Sequence, residues 1–230
     1  MNESAFSAAD VFEIDVTAPG VPALVSVSPD PTTARRPALG WGAVSGASDY
    51  RVQVSTVSDF ASTLFDVTTA STSWTPTSDL PEGTVYWRAS SRDALMNESE
   101  FSAADVFTID VTGPPAVQGL TFVSADDVHW NLRWTPSTAP DFSHYAIYRE
   151  AMDFSDVTGL VPIDTSITDP SVSQFVDPNA SAGVFYAVVA VDTLGNFNAT
   201  VDALESPSTV TVFADGFESG DLSGWSLTSP

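Results

Sequence analysis

The sequence predicts an all-β chain of two tandem sandwiches, and three observations carry that prediction. Short apolar runs alternate with a period of two and are separated by Pro, Gly, Asp and Ser clusters, the pattern of half-buried strands joined by turns. β-Branched residues crowd those runs, and no segment holds an apolar period of 3.6 residues, so helices are not expected. A long stretch also recurs. Residues 1–16 read MNESAFSAADVFEIDV and residues 96–111 read MNESEFSAADVFTIDV, differing only at Ala5/Glu100 and Glu13/Thr108. The copies stand 95 residues apart, about the length of one small sandwich domain.

In chain order, residues 16–22 form a Pro/Gly joint after the first strand copy. Ala23 to Ser28 alternates and stops at Pro29-Asp30-Pro31. Leu39 and Trp41 share one face of the next strand, as do Tyr50, Val52 and Val54 of the one after. Leu64 to Val67 and Ser73 to Thr75 are shorter candidates. Val85, Trp87 and Ala89 alternate again, and Phe101 to Val111 closes the cycle at about seven strands. A second cycle opens after Gly113-Pro114-Pro115 with Leu120 and Phe122. Trp130, Leu132 and Trp134 share a face, Tyr145 and Ile147 begin a long strand, and Ile163 and Phe175 mark minor ones. Val184, Tyr186, Val188 and Ala190 alternate, and Thr209 to Phe213 is the expected last strand.

These residues resemble the fibronectin type III family in the form found in bacterial secreted proteins. The resemblance rests on spaced positions in two cycles: Leu39/Trp41 and Leu132/Trp134, Tyr50 and Tyr145, and Leu80 to Thr84 before the sixth strand. It continues in the stretches YWRASSRDALMNES and FYAVVAVDTLGNFN, with Met96 standing where the family has glycine. What the resemblance implies is two tandem seven-stranded immunoglobulin-like β-sandwiches. They centre on Trp41 and Trp87 in one, and on Trp134 and Tyr186 in the other. The expected domains are residues 17–112 and 113–213. Residues 1–16 are read as the last strand of a preceding repeat, and 214–230 as a linker or the first strand of a truncated further domain. GFESGDLSGW in that tail is similar to a segment near the C-terminal ends of many bacterial secreted proteins.

Composition narrows the function classes. Thirty carboxylates against seven basic residues, all arginine, give a net charge of −23, which disfavours nucleic acid because phosphates need a basic stripe. Direct membrane insertion is not expected, since no apolar run approaches the 18 residues of a span. The absence of cysteine removes disulfides and thiol chemistry. His129 and His144 are too few for a zinc site. Asp126-Asp127 and Glu98/Glu100 sit on strands or turns without a cleft, and no G-x-S-x-G elbow is present. No catalytic, cofactor or metal residues are therefore assigned, with weak calcium binding the only ion chemistry the acidic surface suggests.

The expected role is a non-catalytic extracellular or cell-surface structural and adhesive repeat protein, a spacer or fibre subunit. Its partner is another protein, either a second copy of the chain or a surface or matrix ligand. The alternative is an accessory region of a secreted hydrolase. Residues 5–16 are a candidate donor strand, presenting Phe6, Val11 and Ile14 in one register or Phe12 and Val16 in the other. Trp74 and Trp130 are candidate surface-binding aromatics. Asn2, Asn97, Asn179 and Asn198 lie in glycosylation sequons.

Overall fold

The computed structural model describes residues 14–124 and 130–207. The chain divides into two compact units, Met1–Val111 and Thr112–Pro230, and each contains a sandwich. In the first, β1 (Leu24–Val25), β2 (Leu39–Trp41) and β5 (Ser73–Trp74) form a three-stranded sheet in the order β1-β2-β5. Against it lies a four-stranded sheet, β4-β3-β6-β7, built from β3 (Asp49–Ser55), β4 (Phe65–Thr69), β6 (Gly83–Arg92) and β7 (Asp105–Ile109). All pairings are antiparallel.

The second unit repeats this plan. β8 (Thr121–Ser124), β9 (Trp130–Arg133) and β12 (Gln174–Val176) make the small sheet. β10 (Phe142–Glu150), β11 (Asp164–Ile167), β13 (Phe185–Asp192) and β14 (Leu204–Glu205) make the large one, in the order β11-β10-β13-β14. Seven strands are thus described in each unit, as the periodicity predicts. The expected strand at Thr209 to Phe213 and the GFESGDLSGW segment lie outside the described residues.

Register explains the cores. Val52 faces Ala89 and Val54 faces Trp87 across β3 and β6, so the alternating apolar residues point to one side. Leu39, Val52, Val54, Val85, Trp87, Ala89 and Ile109 are fully buried. Trp41 packs edge-on to Tyr50, with ring centroids 5.5 Å apart. In the second sandwich Ile147 faces Val188 and Tyr145 faces Ala190, and Trp134 meets Tyr145 at 5.1 Å. The tryptophans expected at the two centres, Trp41 and Trp134, are each 4% exposed. Both indole nitrogens are buried without a hydrogen-bond partner, so ring packing alone holds them.

Tyrosine hydroxyls tie the loops to these cores. Tyr50 Oη accepts the Val44 N–H at 2.9 Å. Tyr145 Oη accepts the Ser137 N–H and donates to the Pro170 carbonyl.

Candidate functional site

The recurring segment is the natural place to look for function, and one copy of it is described in full. Residues 105–109 are β7, the edge of the large sheet, paired with β6 from Gly83↔Ile109 to Trp87↔Asp105. Phe107 and Ile109 are 1% and 0% exposed, while Val106 between them is 48% exposed. The chain holds this edge beyond the ladder as well. Trp87 Nε1 and Ser26 Oγ both donate to the Asp105 carboxylate. Ser102 N–H donates to the Ala89 carbonyl, and Asp110 N–H to the Thr32 carbonyl.

The pairing sorts the apolar residues of the described copy by face. Strand period two puts Phe107 and Ile109 on one face and Val106 on the other. Phe101, the counterpart of Phe6, does not enter the core; its ring lies on the outer face of the sheet, 4.2 Å from the Arg88 guanidinium. Within the described part of the first copy, Ile14 is 72% and Val16 77% exposed. Phe6, Val11 and Phe12 lie outside the described residues.

Next to β6 is the loop in which Met96 replaces glycine. Asp93 accepts the N–H groups of Leu95 and Asn97 on one oxygen and the Asn97 side-chain amide on the other. Asp192 does the same for Leu194 and Asn196. Met96 adopts φ 69°, close to the φ 87° of Gly195. The loop geometry is therefore the same in both units, because the Asp–Asn clamp imposes the left-handed turn on a residue with a Cβ. Hydrogen bonding from the Asn97 side chain holds the Asp93 carboxyl below the usual carboxylate range. The same bonds occupy the amide of the Asn97 sequon, which also donates to the Asp15 carbonyl.

The outer faces of the two large sheets are built on opposite principles, which periodicity did not show. In the first sandwich Arg88 lies between the rings of Phe60 and Phe101, at 4.1 and 4.2 Å. Its Nε and Nη2 donate to Gln53 Oε1, and Gln53 Nε2 donates to Asp66. Arg51 completes the row with two bonds to Asp66 and a contact with the Phe101 ring at 5.5 Å. The Arg51 hydrogen bond, set against burial, keeps the Asp66 carboxyl below its ordinary range.

In the second sandwich the equivalent positions are Ala146, Tyr148, Ala187, Val189 and Val191. They form a second apolar cluster covered by Val157, Phe154, Leu160, Val201 and Ala203. The sequence signal for this difference was present: Arg-x-Gln-x-Ser and Arg-x-Ser-x-Arg in one unit against Ala-x-Tyr and Ala-x-Val-x-Val in the other.

A buried polar group was also missed. Asp177, 5% exposed, takes a short hydrogen bond from Arg149 and a 2.9 Å bond from the Tyr186 hydroxyl. Burial first, and then the Asp177 carboxylate, push the Tyr186 hydroxyl up to about 12. The same carboxylate accepts the Asn179 N–H at 2.8 Å.

Of the candidate aromatics, Trp74 is half-buried at the β5 edge, with its ring edge-on to Phe65 at 5.1 Å. Trp130 begins β9, paired opposite Ser124. His144 lies in β10 with Nδ1 3.1 Å from Ser143 Oγ, its neighbour in sequence. His129 and Asp126-Asp127 fall outside the described residues.

No protein-family model matches the chain, and no curated protein does so. Among solved structures it is similar to the FN1–FN3 domains of chicken CNTN1, at 11% identity and a TM-score of 0.45. That match covers 83% of this chain and 68% of that one. A mutant of FN3tt aligns at 18% identity and a TM-score of 0.31, over 40% of this chain and 97% of that one. The assignment of fold rests on the chain's own strand order: two tandem seven-stranded β-sandwiches of the immunoglobulin-like, fibronectin type III form, each with three strands packed on four.

Proposed function

We propose that the chain is a non-catalytic structural or adhesive repeat protein of the extracellular space or cell surface. In this reading it is a spacer or fibre subunit whose copies join by strand donation from residues 5–16. One observation carries the reading. The same residue in the same sequence context is 0% exposed as Ile109 in β7 and 72% exposed as Ile14. A residue that closes a sheet in one copy is thus uncovered in the other, as is Val16 at 77%, which favours pairing with a sheet edge of another molecule.

The partner is accordingly a second copy of the chain, or a surface or matrix protein with an open sheet edge. The test is light scattering with negative-stain microscopy on residues 1–230 and on a version lacking residues 1–16. Dimers or fibres that disappear on truncation are expected. Two monomers of equal behaviour would remove donation between copies from the account.

A further inference from the structure

The chain enters each sandwich through a Pro-rich joint, and each joint lies against the loop that follows β6 or β13. In the first unit Asn97 Nδ2 donates to the Asp15 carbonyl at 3.1 Å and to Asp93 Oδ2 at 2.8 Å. Both of its side-chain N–H groups are thereby used, one on the loop and one on the joint. Further along the joint, Ser91 Oγ donates to the Gly20 carbonyl at 2.6 Å. Ser91 is 0% exposed, so this bond is shielded from competing water. Pro22, near the end of the joint, is buried as well.

The second unit shows the same placement by different means. Its loop is equivalent: Glu98 bridges back to Arg92, and Phe197 to Val191, each after the same Asp–Asn clamp. A Cβ on Gly113 would stand 2.3 Å from Phe197 Cα and 2.4 Å from its main-chain nitrogen. Ordinary carbon contacts lie at roughly 3.5–4.0 Å, and main-chain atoms cannot yield as a flexible side chain would. Gly113 has no left-handed φ, so close approach, and not backbone freedom, is what requires glycine there. Pro114 beside it is buried.

We propose that the loop after β6, and its counterpart after β13, is a seat for the main chain of the joint entering that sandwich. Two carbonyls are grasped in one case and a bare Cα is admitted in the other, so the seat reads main chain and not side chains. It therefore accepts Thr17-Ala18-Pro19-Gly20 in one unit and Thr112-Gly113-Pro114-Pro115 in the other. Pro19 fixes φ between the two grasped carbonyls. Each joint is thus part of the sandwich it enters and not a free tether. Asn97 and Ser91 are positioning residues in this arrangement, and Gly113 is the residue that lets the second joint sit. The inference stands whether or not residues 5–16 act as donors.

NMR relaxation of the backbone amides, measured on the full chain, tests the seat. A rigid backbone gives order parameters of about 0.85, and a flexible tether gives values below about 0.6. We expect the amides of residues 16–18, 20–21 and 112–113 to match those of β3 and β10. Asn97→Ala with Ser91→Ala should bring residues 16–21 into the flexible range while 112–113 stay rigid. Gly113→Ala should do the reverse. Neither should change the order within β3 or β10, which separates loss of the seat from loss of the fold. Ser91→Ala alone removes a single hydroxyl and decides the matter if another variant fails to fold; it should loosen Gly20 and Val21. Joint amides in the flexible range in the unaltered chain overturn the proposal. So do joints that stay rigid in the variants.

Discussion

Arg88 is the residue whose replacement tests the reading of the outer face most sharply. Its guanidinium lies 4.1 Å from the ring of Phe60 and 4.2 Å from that of Phe101. It also makes two hydrogen bonds to Gln53 Oε1, at 2.9 and 2.8 Å. Gln53 is itself buried, at 8% exposure. Partly exposed cation–π contacts contribute about 0.5–1 kcal/mol each. Hydrogen bonds from a charged donor contribute about 1.5–3 kcal/mol, and here they share one acceptor. Arg88→Met keeps the apolar stem but loses both effects and leaves Gln53 Oε1 without its donor. The expected cost to the first sandwich is about 2–4 kcal/mol.

Native-state hydrogen exchange in increasing denaturant gives the free energy for β3 and β6 separately from β10 and β13, which serve as the internal reference. Arg88→Lys should fall between wild type and Arg88→Met, because an ammonium keeps the charge but not the planar fork. A double cycle of Arg88→Met with Phe60→Leu should show coupling, since the two groups touch. A loss below about 0.5 kcal/mol in β6, the size of an ordinary surface change, would refute the reasoning. The row would then be a consequence of the fold and not a support of it.

Further predictions concern the loops, the buried polar group and the core. The folded value of the Tyr186 hydroxyl lies above its unfolded one, so its contribution is full below pH about 10 and is lost as pH rises toward about 12. The urea midpoint of the second sandwich should therefore fall across that window, with Tyr148, raised by burial, adding in the same direction. Tyr186→Phe should flatten the fall, and an equally steep decline in that variant would contradict the assignment. Met96 holds a left-handed φ of 69°, so Met96→Gly should stabilise the first sandwich by up to about 1 kcal/mol. Gly195→Ala should destabilise the second by a similar amount, both read by thermal melting. Trp134→Ala should cost the second sandwich about 3–5 kcal/mol; a change under 1 kcal/mol by urea unfolding would mean that the ring is not central.

The strands and their inward faces were legible because a sandwich core needs only period-two alternation. Leu39/Trp41, Tyr50/Val52/Val54 and Val184/Tyr186/Val188 all obey it, and all are buried or nearly so. Phe107 and Ile109 were legible in the same way, two residues apart on one strand and both buried. The outer faces were harder. Arg88, Gln53, Phe60 and Phe101 come from two strands and two loops, and only the β3–β6 register together with the two loop paths stacks them. Asp177 was invisible for a similar reason: its partners Arg149 and Tyr186 lie 28 and 9 residues away, and nothing local marks a carboxylate as buried.

By itself, then, the sequence determined what depends on neighbouring residues: strand period, turn positions, the repeat, the two tryptophan centres and the acidic surface. Tertiary structure decided what depends on register and on loops crossing a sheet. It decided that Met96 adopts a glycine's turn, and that one outer face is a cation–π row and the other an apolar cluster. The physical reason is that alternation encodes which side a residue faces, whereas pairing across strands encodes whom it meets. Only the folded chain brings the second kind of information together.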